Sequence, residues 1–416
     1  MGQTILEKII QAHSADAVRP GSVVWMSLDV RSARDFGGPN VVKHYEREYG
    51  EARPDPEHTF FTFDLCAPAC TLKYADNQQI CRDFARKHGL TVFDVDRGIG
   101  SHVLIEEGLA GPNTTVVGTD SHMNILGAVG CFGQGMGDVD IAFAFRTGRT
   151  WFEVPPTIKV VFKGRPSSAA TAKDLALFVL QKLGTRDLAN AAVEFEGDAV
   201  RDLTLSGRIT FCSLVTEMAG IIGFVPEHAP ALKDEIKALT GRDFDPFRAD
   251  KDASYERIIE LDASGLPPLI AEPPSPSHVR EVRELRGTRI DTAFIGSCTN
   301  GRLEDFAAAA RLLKGRRIAP DVTLKIVPTT RRVTEELLRT GILQTLFDAG
   351  AIVVNAGCGG CADGHTGLTG RGEVQVSTAN RNFPGKQGKG STYLASPAVA
   401  AASALAGAVA LPEDVR

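Results

Sequence analysis

Short β-branched runs alternate with helical patterns along this chain, and its most reactive side chains sit just after the runs. FFTFD (60–64), LTVFDV (90–95), TTVVG (114–118), TIKVVFKG (157–164), DTAFIG (291–296), TLKIVP (323–328), AIVVN (351–355) and EVQVST (373–378) read as strands. RLEDFAAAARLL (302–313), TRRVTEELLRTGILQTLFDAG (330–350) and PAVAAASALAG (397–407) read as helices. The last of these has Ser396 at its N-cap and Pro397 at its first turn. Residues 1–25 read as an amphipathic helix, a turn and a strand. This alternation predicts an α/β fold. For 416 residues, at roughly 100–200 residues per domain, three α/β domains are expected, over 1–155, 156–283 and 284–416. GLPPLIAEPPSPSH (265–278), with five prolines and no regular period, reads as the linker before the last one.

In parallel sheets the loops at the carboxyl ends of the strands converge on one crevice. Cys298 follows DTAFIG, Cys358 and Cys361 in GCGGC follow AIVVN, and Asn380 and Arg381 follow EVQVST. Three thiols and an arginine are therefore expected to meet. Glycines around Cys358 and Cys361 would let a cofactor approach the backbone and leave N–H groups for its sulfurs. Spacing alone leaves an iron–sulfur cluster, a Cys₃His zinc site using His365, and small buried thiols all open. In the first half, Asp120, Ser121 and His122 (GTDSHM) follow the strand TTVVG, a placement suited to an acid–base pair or to an Asx-turn. GAVGCFGQGMGD (127–138) lacks the Lys-Ser/Thr of a phosphate loop, so close backbone packing is expected there. The other five cysteines, Cys66, Cys70, Cys81, Cys131 and Cys212, read as small buried residues.

Composition narrows the setting. A net charge of −5 without a long basic run argues against nucleic acid or an anionic membrane as the main partner. No apolar run approaches the roughly 20 residues needed to span a bilayer. Eight cysteines spread over so long a chain form no secreted disulfide framework, so a reducing cytoplasm is expected.

SCTNGRLEDF, GCGGC, STANRNFPGKQG, YLASPAVAAASA and VVGTDSHMNILGAVG together resemble the aconitase superfamily. Within it, the length and the opening MGQTILEKI resemble the large-subunit branch of 3-isopropylmalate dehydratase and homoaconitase. The resemblance implies three aconitase-like α/β domains around a [4Fe–4S] cluster held by Cys298, Cys358 and Cys361, with the fourth iron left open as a Lewis acid. It implies a hydro-lyase or isomerase that dehydrates and rehydrates a small hydroxy di- or tricarboxylic acid. It also implies a small subunit carrying the swivel domain, which is expected to be missing from this chain. Asp64 matches the first member of the family's Asp-His pair, and Glu217 matches its pocket glutamate.

Departures from the family pattern cluster in the pocket. Leu65 replaces the histidine of the Asp-His pair, and Ser101 stands where a histidine is usual, with His102 one residue later as a partial substitute. Ser213 replaces an asparagine, Lys386 an arginine, and Arg34 a histidine. The expected catalytic residues are thus Asp64, His102, Asp120, His122 and Glu217; the expected substrate-binding residues are Arg34, Ser121, Asn380, Arg381 and Lys386. A substrate shifted to a methylated or shorter malate, or to a homocitrate-type acid, is the enzymatic alternative. A non-catalytic cluster-binding regulator is the alternative of another class.

Overall fold

Each of the eight expected runs forms a strand, from Thr59–Thr62 to Val374–Ser377, in a computed structural model that describes residues 2–226, 230–241, 248–361 and 366–415. A five-stranded parallel sheet has the order Thr91–Phe93, Thr59–Thr62, Val30–Arg34, Thr115–Gly118, Phe132–Gly135. A four-stranded parallel sheet has the order Ile222–Phe224, Ala192–Gly197, Thr157–Lys163, Arg257–Asp262. In the seven-stranded sheet, Ser391–Ala395, Val374–Ser377, Thr292–Ile295, Thr323–Ile326 and Ile352–Val353 run parallel. Leu269–Ala271 and Val279–Glu281 extend that sheet as antiparallel strands beyond Ser391–Ala395. A ribbon pairs Val23–Ser27 with Arg149–Glu153. The α/β class expected from the alternation is the class observed.

Two local readings differ from the structure, and one strand was not read at all. The stretch 265–278 is not a plain linker, because its apolar Leu269–Ala271 pairs with Ser391–Ala395 while the prolines, which have no N–H to donate, flank the strand. The seven-stranded sheet therefore begins before residue 284. The helix expected over 330–350 is two helices, Arg331–Arg339 and Ile342–Asp348, separated at Gly341, whose φ of +72° a helix interior does not accept. The Val30–Arg34 strand carries no alternating pattern, since all five of its residues are buried at the centre of a covered sheet.

Close backbone packing explains the glycines of 127–138. A Cβ on Gly127 would collide with the Gly223 carbonyl, and one on Gly135 with the carbonyl of Asp120. This brings Phe132–Gly135 and the following turn up against the loop that bears Asp120 and His122.

The four-stranded sheet packs its helices through Phe162, Phe195 and Phe211, with the Phe195 and Phe211 rings 4.6 Å apart and edge-to-face. Phe211 lies on the helix Leu205–Ser213, which leads into the turn Thr216–Met218 that carries Glu217. Phe211→Ala is expected to cost about 3–5 kcal/mol in urea unfolding. A loss below about 1 kcal/mol would mean that this ring does not anchor the helix.

Candidate active site

The carboxyl ends of the five-stranded and seven-stranded sheets meet at one narrow cleft of about 50 Å³, small beside the usual ligand pocket of about 300–1,000 Å³. Arg34, Leu65, Asp120, Ser121, His122, Cys298, Cys358, Cys361, Arg381 and Lys386 line it. Each follows a strand or a turn anchored by one. Val30–Arg34 ends in Arg34, Thr115–Gly118 leads to Asp120, Thr292–Ile295 to Cys298, Ile352–Val353 to Cys358, and Val374–Ser377 to Asn380 and Arg381. Ser297 takes a φ of +74°, uncommon for a residue with a side chain, immediately before Cys298.

A buried guanidinium ties the two sheets together. Arg34 Nε donates to Asp64 Oδ1 at 2.7 Å, Nη1 to Asp120 Oδ1 at 2.9 Å, and Nη2 to Cys358 Sγ at 2.8 Å. The Cys358 N–H donates to the Asp64 carbonyl at 3.0 Å. Gly100 N–H donates to the second oxygen of Asp64 at 2.8 Å. Burial alone would drive Arg34 down, but Asp120 and Asp64 reverse that and hold it charged. The two acids diverge. Burial lifts Asp64 to about 7 against the pull of Arg34. Burial also opposes the charge on Asp120, but Arg34 and His122 outweigh it and hold that carboxyl below its usual value.

A second hydrogen-bond network centres on His122. Its Nε2 lies 3.1 Å from Glu217 Oε1 and 2.7 Å from Asn380 Nδ2. Bearing a proton, Nε2 donates to Glu217; without one, it accepts from Asn380. Arg381 Nε donates to the same Glu217 oxygen at 2.7 Å. Burial works against the Glu217 charge, but His122 and Arg381 prevail and hold its carboxyl below the usual range. The His122 N–H donates to Asp120 Oδ1 at 3.0 Å, and Ser121 Oγ lies 3.3 Å from Nδ1.

The three thiols border these networks. Asn380 Nδ2 lies 3.6 Å from Cys298 Sγ, and Cys361 Sγ lies 3.4 Å from Asn380 Oδ1. Ser213 Oγ is 4.0 Å from Cys298 Sγ. Burial pushes the Cys298 thiol up to about 12 and the Cys358 thiol well above its usual value. Among the described residues, no group of three His, Cys, Asp and Glu side chains is drawn together tightly enough to hold a single metal ion. His365, the fourth donor of the zinc reading, lies outside the described residues.

Asp64, Glu217 and Asn380 thus stand one hydrogen bond behind the cleft wall. His102 does not join them. Its ring is fully buried, neither nitrogen makes a hydrogen bond of ordinary geometry although the Cys298 backbone is near, and burial drives it down to about 3, so it is neutral. Cys70 is exposed rather than buried; Cys66, Cys81, Cys131 and Cys212 are buried as expected.

Two contributors went unread in the sequence. Asp35, next to Arg34, accepts the N–H groups of Leu65 and Cys66 at 3.1 and 3.2 Å; the polar strand before it was not legible as one, so nothing marked it. Lys173 is fully buried and donates to the carbonyls of Thr378 and Ala379 at 2.9 and 2.7 Å, fixing the loop that bears Asn380 and Arg381. Burial lowers it to about 8, and nothing in its local sequence marks it.

No helix among the described residues is long and apolar enough to cross a membrane. A sequence model of the aconitase family (aconitate hydratase) matches residues 7–287 and 278–407. The chain is 43% identical to the homoaconitase large subunit of Thermus thermophilus, over 100% of this chain and 98% of that one. It is 39% identical to the 3-isopropylmalate dehydratase large subunit of Moorella thermoacetica, with both covered in full. In fold it is similar to holo aconitase X of Thermococcus kodakaraensis, with a TM-score of 0.50 and 14% identity, covering 90% of this chain and 87% of that one. The chain belongs to the aconitase family.

Proposed function

We propose that the chain is the large subunit of a cytoplasmic hydro-lyase that dehydrates and rehydrates a hydroxy di- or tricarboxylic acid of the 3-isopropylmalate or homocitrate type. The observation that carries this reading is the convergence of three thiols, a split pair of acids and a histidine–glutamate pair on one cleft. A [4Fe–4S] cluster on Cys298, Cys358 and Cys361 fits this donor set. All three ligands are soft sulfurs, and Arg34 and Asn380 aim N–H groups at two of them, the kind of contact that tunes such clusters. Buried thiols that resist ionisation call for a cation as counter-charge. When bound, the cluster supplies a Lewis acid for the hydroxyl and carboxylate of the substrate.

The chain's own residues supply the rest. Arg34, Arg381 and Lys386 make the cleft cationic, suited to an acid with two or more carboxylates. Asp64, lifted to about 7, can keep a proton near neutral pH, while Asp120 stays ionised and orients His122. His122 takes or gives a proton at Nε2, with Glu217 accepting from the protonated ring and Asn380 donating to the bare one. Leu65 adds an apolar wall to the cleft, at the place where the family resemblance leads to the expectation of a histidine. The relatives' designation as large subunits supports a small-subunit partner, to which the swivel domain is assigned.

Anaerobically prepared chain should contain about four irons and matching acid-labile sulfide, and Cys358→Ser should lose both; a colourless protein with one zinc would sink the cluster assignment. Combined with its small subunit and a panel of hydroxy diacids, the loaded chain should form an unsaturated acid, followed by the absorbance of the new double bond. No turnover on any member of the panel, with the cluster intact, would favour the regulatory alternative. In the active pair, Asp64→Asn should lower kcat by about 10²-fold or more and remove the limb of the pH–rate profile near pH 7. A profile unchanged in shape would remove Asp64 from proton transfer.

A further inference from the structure

Beside the cleft, a second pair of sulfurs takes no part in the chemistry above. The loop between the strand Thr59–Thr62 and the helix Leu72–His88 reads DLCAPAC, and it brings Cys66 Sγ within 3.0 Å of Cys70 Sγ. Cys66 is buried and Cys70 exposed. The loop is held from the Cys66 side. Asp35 takes the Leu65 and Cys66 N–H groups, Gln78 Nε2 donates to the Cys66 carbonyl at 2.9 Å, and Asn355 Nδ2 to the Ala67 carbonyl at 3.0 Å. The Cys70 N–H donates to Cys66 Sγ at 3.1 Å, so the turn itself keeps the two side chains facing each other. A disulfide needs about 2.05 Å between sulfurs, roughly 1 Å of closure that the exposed Cys70 can supply. Cys81, Cys131 and Cys212 are buried, out of reach of a dissolved oxidant.

We propose that Cys66 and Cys70 are a thiol–disulfide modification site for low-molecular-weight disulfides, with Cys70 as the attacking thiol and Cys66 as the resolving one. The Cys70 thiolate attacks one sulfur of the small disulfide, whose S–S bond breaks; one small thiol leaves with the electron pair and takes up a proton. The Cys66 thiolate then attacks the Cys70 sulfur, breaks the mixed disulfide and expels the second small thiol. The protein thiols lose two electrons and two protons in all, and the small disulfide gains both as two thiols. Burial, together with the neighbouring Cys70 thiol, pushes Cys66 up to about 11, which suits it to the second step rather than the first. The cross-link would share main chain with Leu65 in the cleft wall, yet the site depends on neither the cluster nor the hydro-lyase reading.

The test treats the chain, as purified anaerobically, with oxidised glutathione, quenches with acid, alkylates the remaining thiols and maps the peptides by mass. The wild type should lose both thiols of the 66–70 segment to a single cross-link with no glutathione retained, and dithiothreitol should restore both. Cys66→Ser should trap one glutathione on Cys70, and Cys70→Ser should leave Cys66 unmodified. Full alkylation of both thiols after treatment, glutathione held on Cys70 in the wild type, or a bond from either residue to a different cysteine would each overturn the proposal.

Discussion

One guanidinium sets the geometry on which the site depends. Taking Arg34 out of water costs several kcal/mol, and that cost is offset only if good partners surround it. Asp64 and Asp120 supply two charge-assisted bonds, and Cys358 Sγ lies 2.8 Å from the remaining nitrogen. Because these partners come from the ends of different strands and from both large sheets, satisfying the cation also fixes how the sheets meet. The Cys358 N–H on the Asp64 carbonyl locks the same junction through main chain. Lysine in place of Arg34 would keep the charge but lose the fork that reaches all three.

Around that junction, each structural unit contributes a distinct set of side chains. The five-stranded sheet brings the acids and His122, the seven-stranded sheet brings the thiols with Asn380 and Arg381, and the four-stranded unit brings Glu217 on a short turn. Lys173, also from that unit, reaches across to hold the Thr378 and Ala379 carbonyls. The hydrogen-bond network at His122 thus spans all three units and is only as well aligned as their packing. Through that packing the core ring of Phe211, on the helix that leads into the Glu217 turn, is expected to bear on the placement of Glu217. The arrangement also gives the divergence of Asp64 and Asp120 a structural cause: the two share one cation, but Asp120 is also favoured by His122.

Much of this was legible in the chain, for identifiable reasons. Strands in parallel sheets are short β-branched runs, so DTAFIG, AIVVN and EVQVST declared themselves, and the residues after them marked the crevice. Arg34 was harder to read, because VRSAR looks polar while all five residues are buried, and only the likeness to a family singled it out. His102 illustrates the limit of that likeness. It lies on the helix Gly100–Glu106, where a shift of one residue turns a side chain by about 100°, so a histidine one place late points into the core. Leu269–Ala271 was hidden by the prolines around it, Gly341 by the apolar period that continues past it, and Lys173 by having no partner near in sequence.

The account rests on Arg34 and Asp64 acting as one unit, and a double-mutant cycle measures that directly. Urea unfolding of the wild type, Arg34→Met, Asp64→Asn and the double variant would be compared. Removing Arg34 alone strands buried carboxylates, so the account predicts that Asp64→Asn is far less harmful once Arg34 is gone, with a coupling of about 1–3 kcal/mol. Effects that simply add, to within about 0.5 kcal/mol, would contradict it.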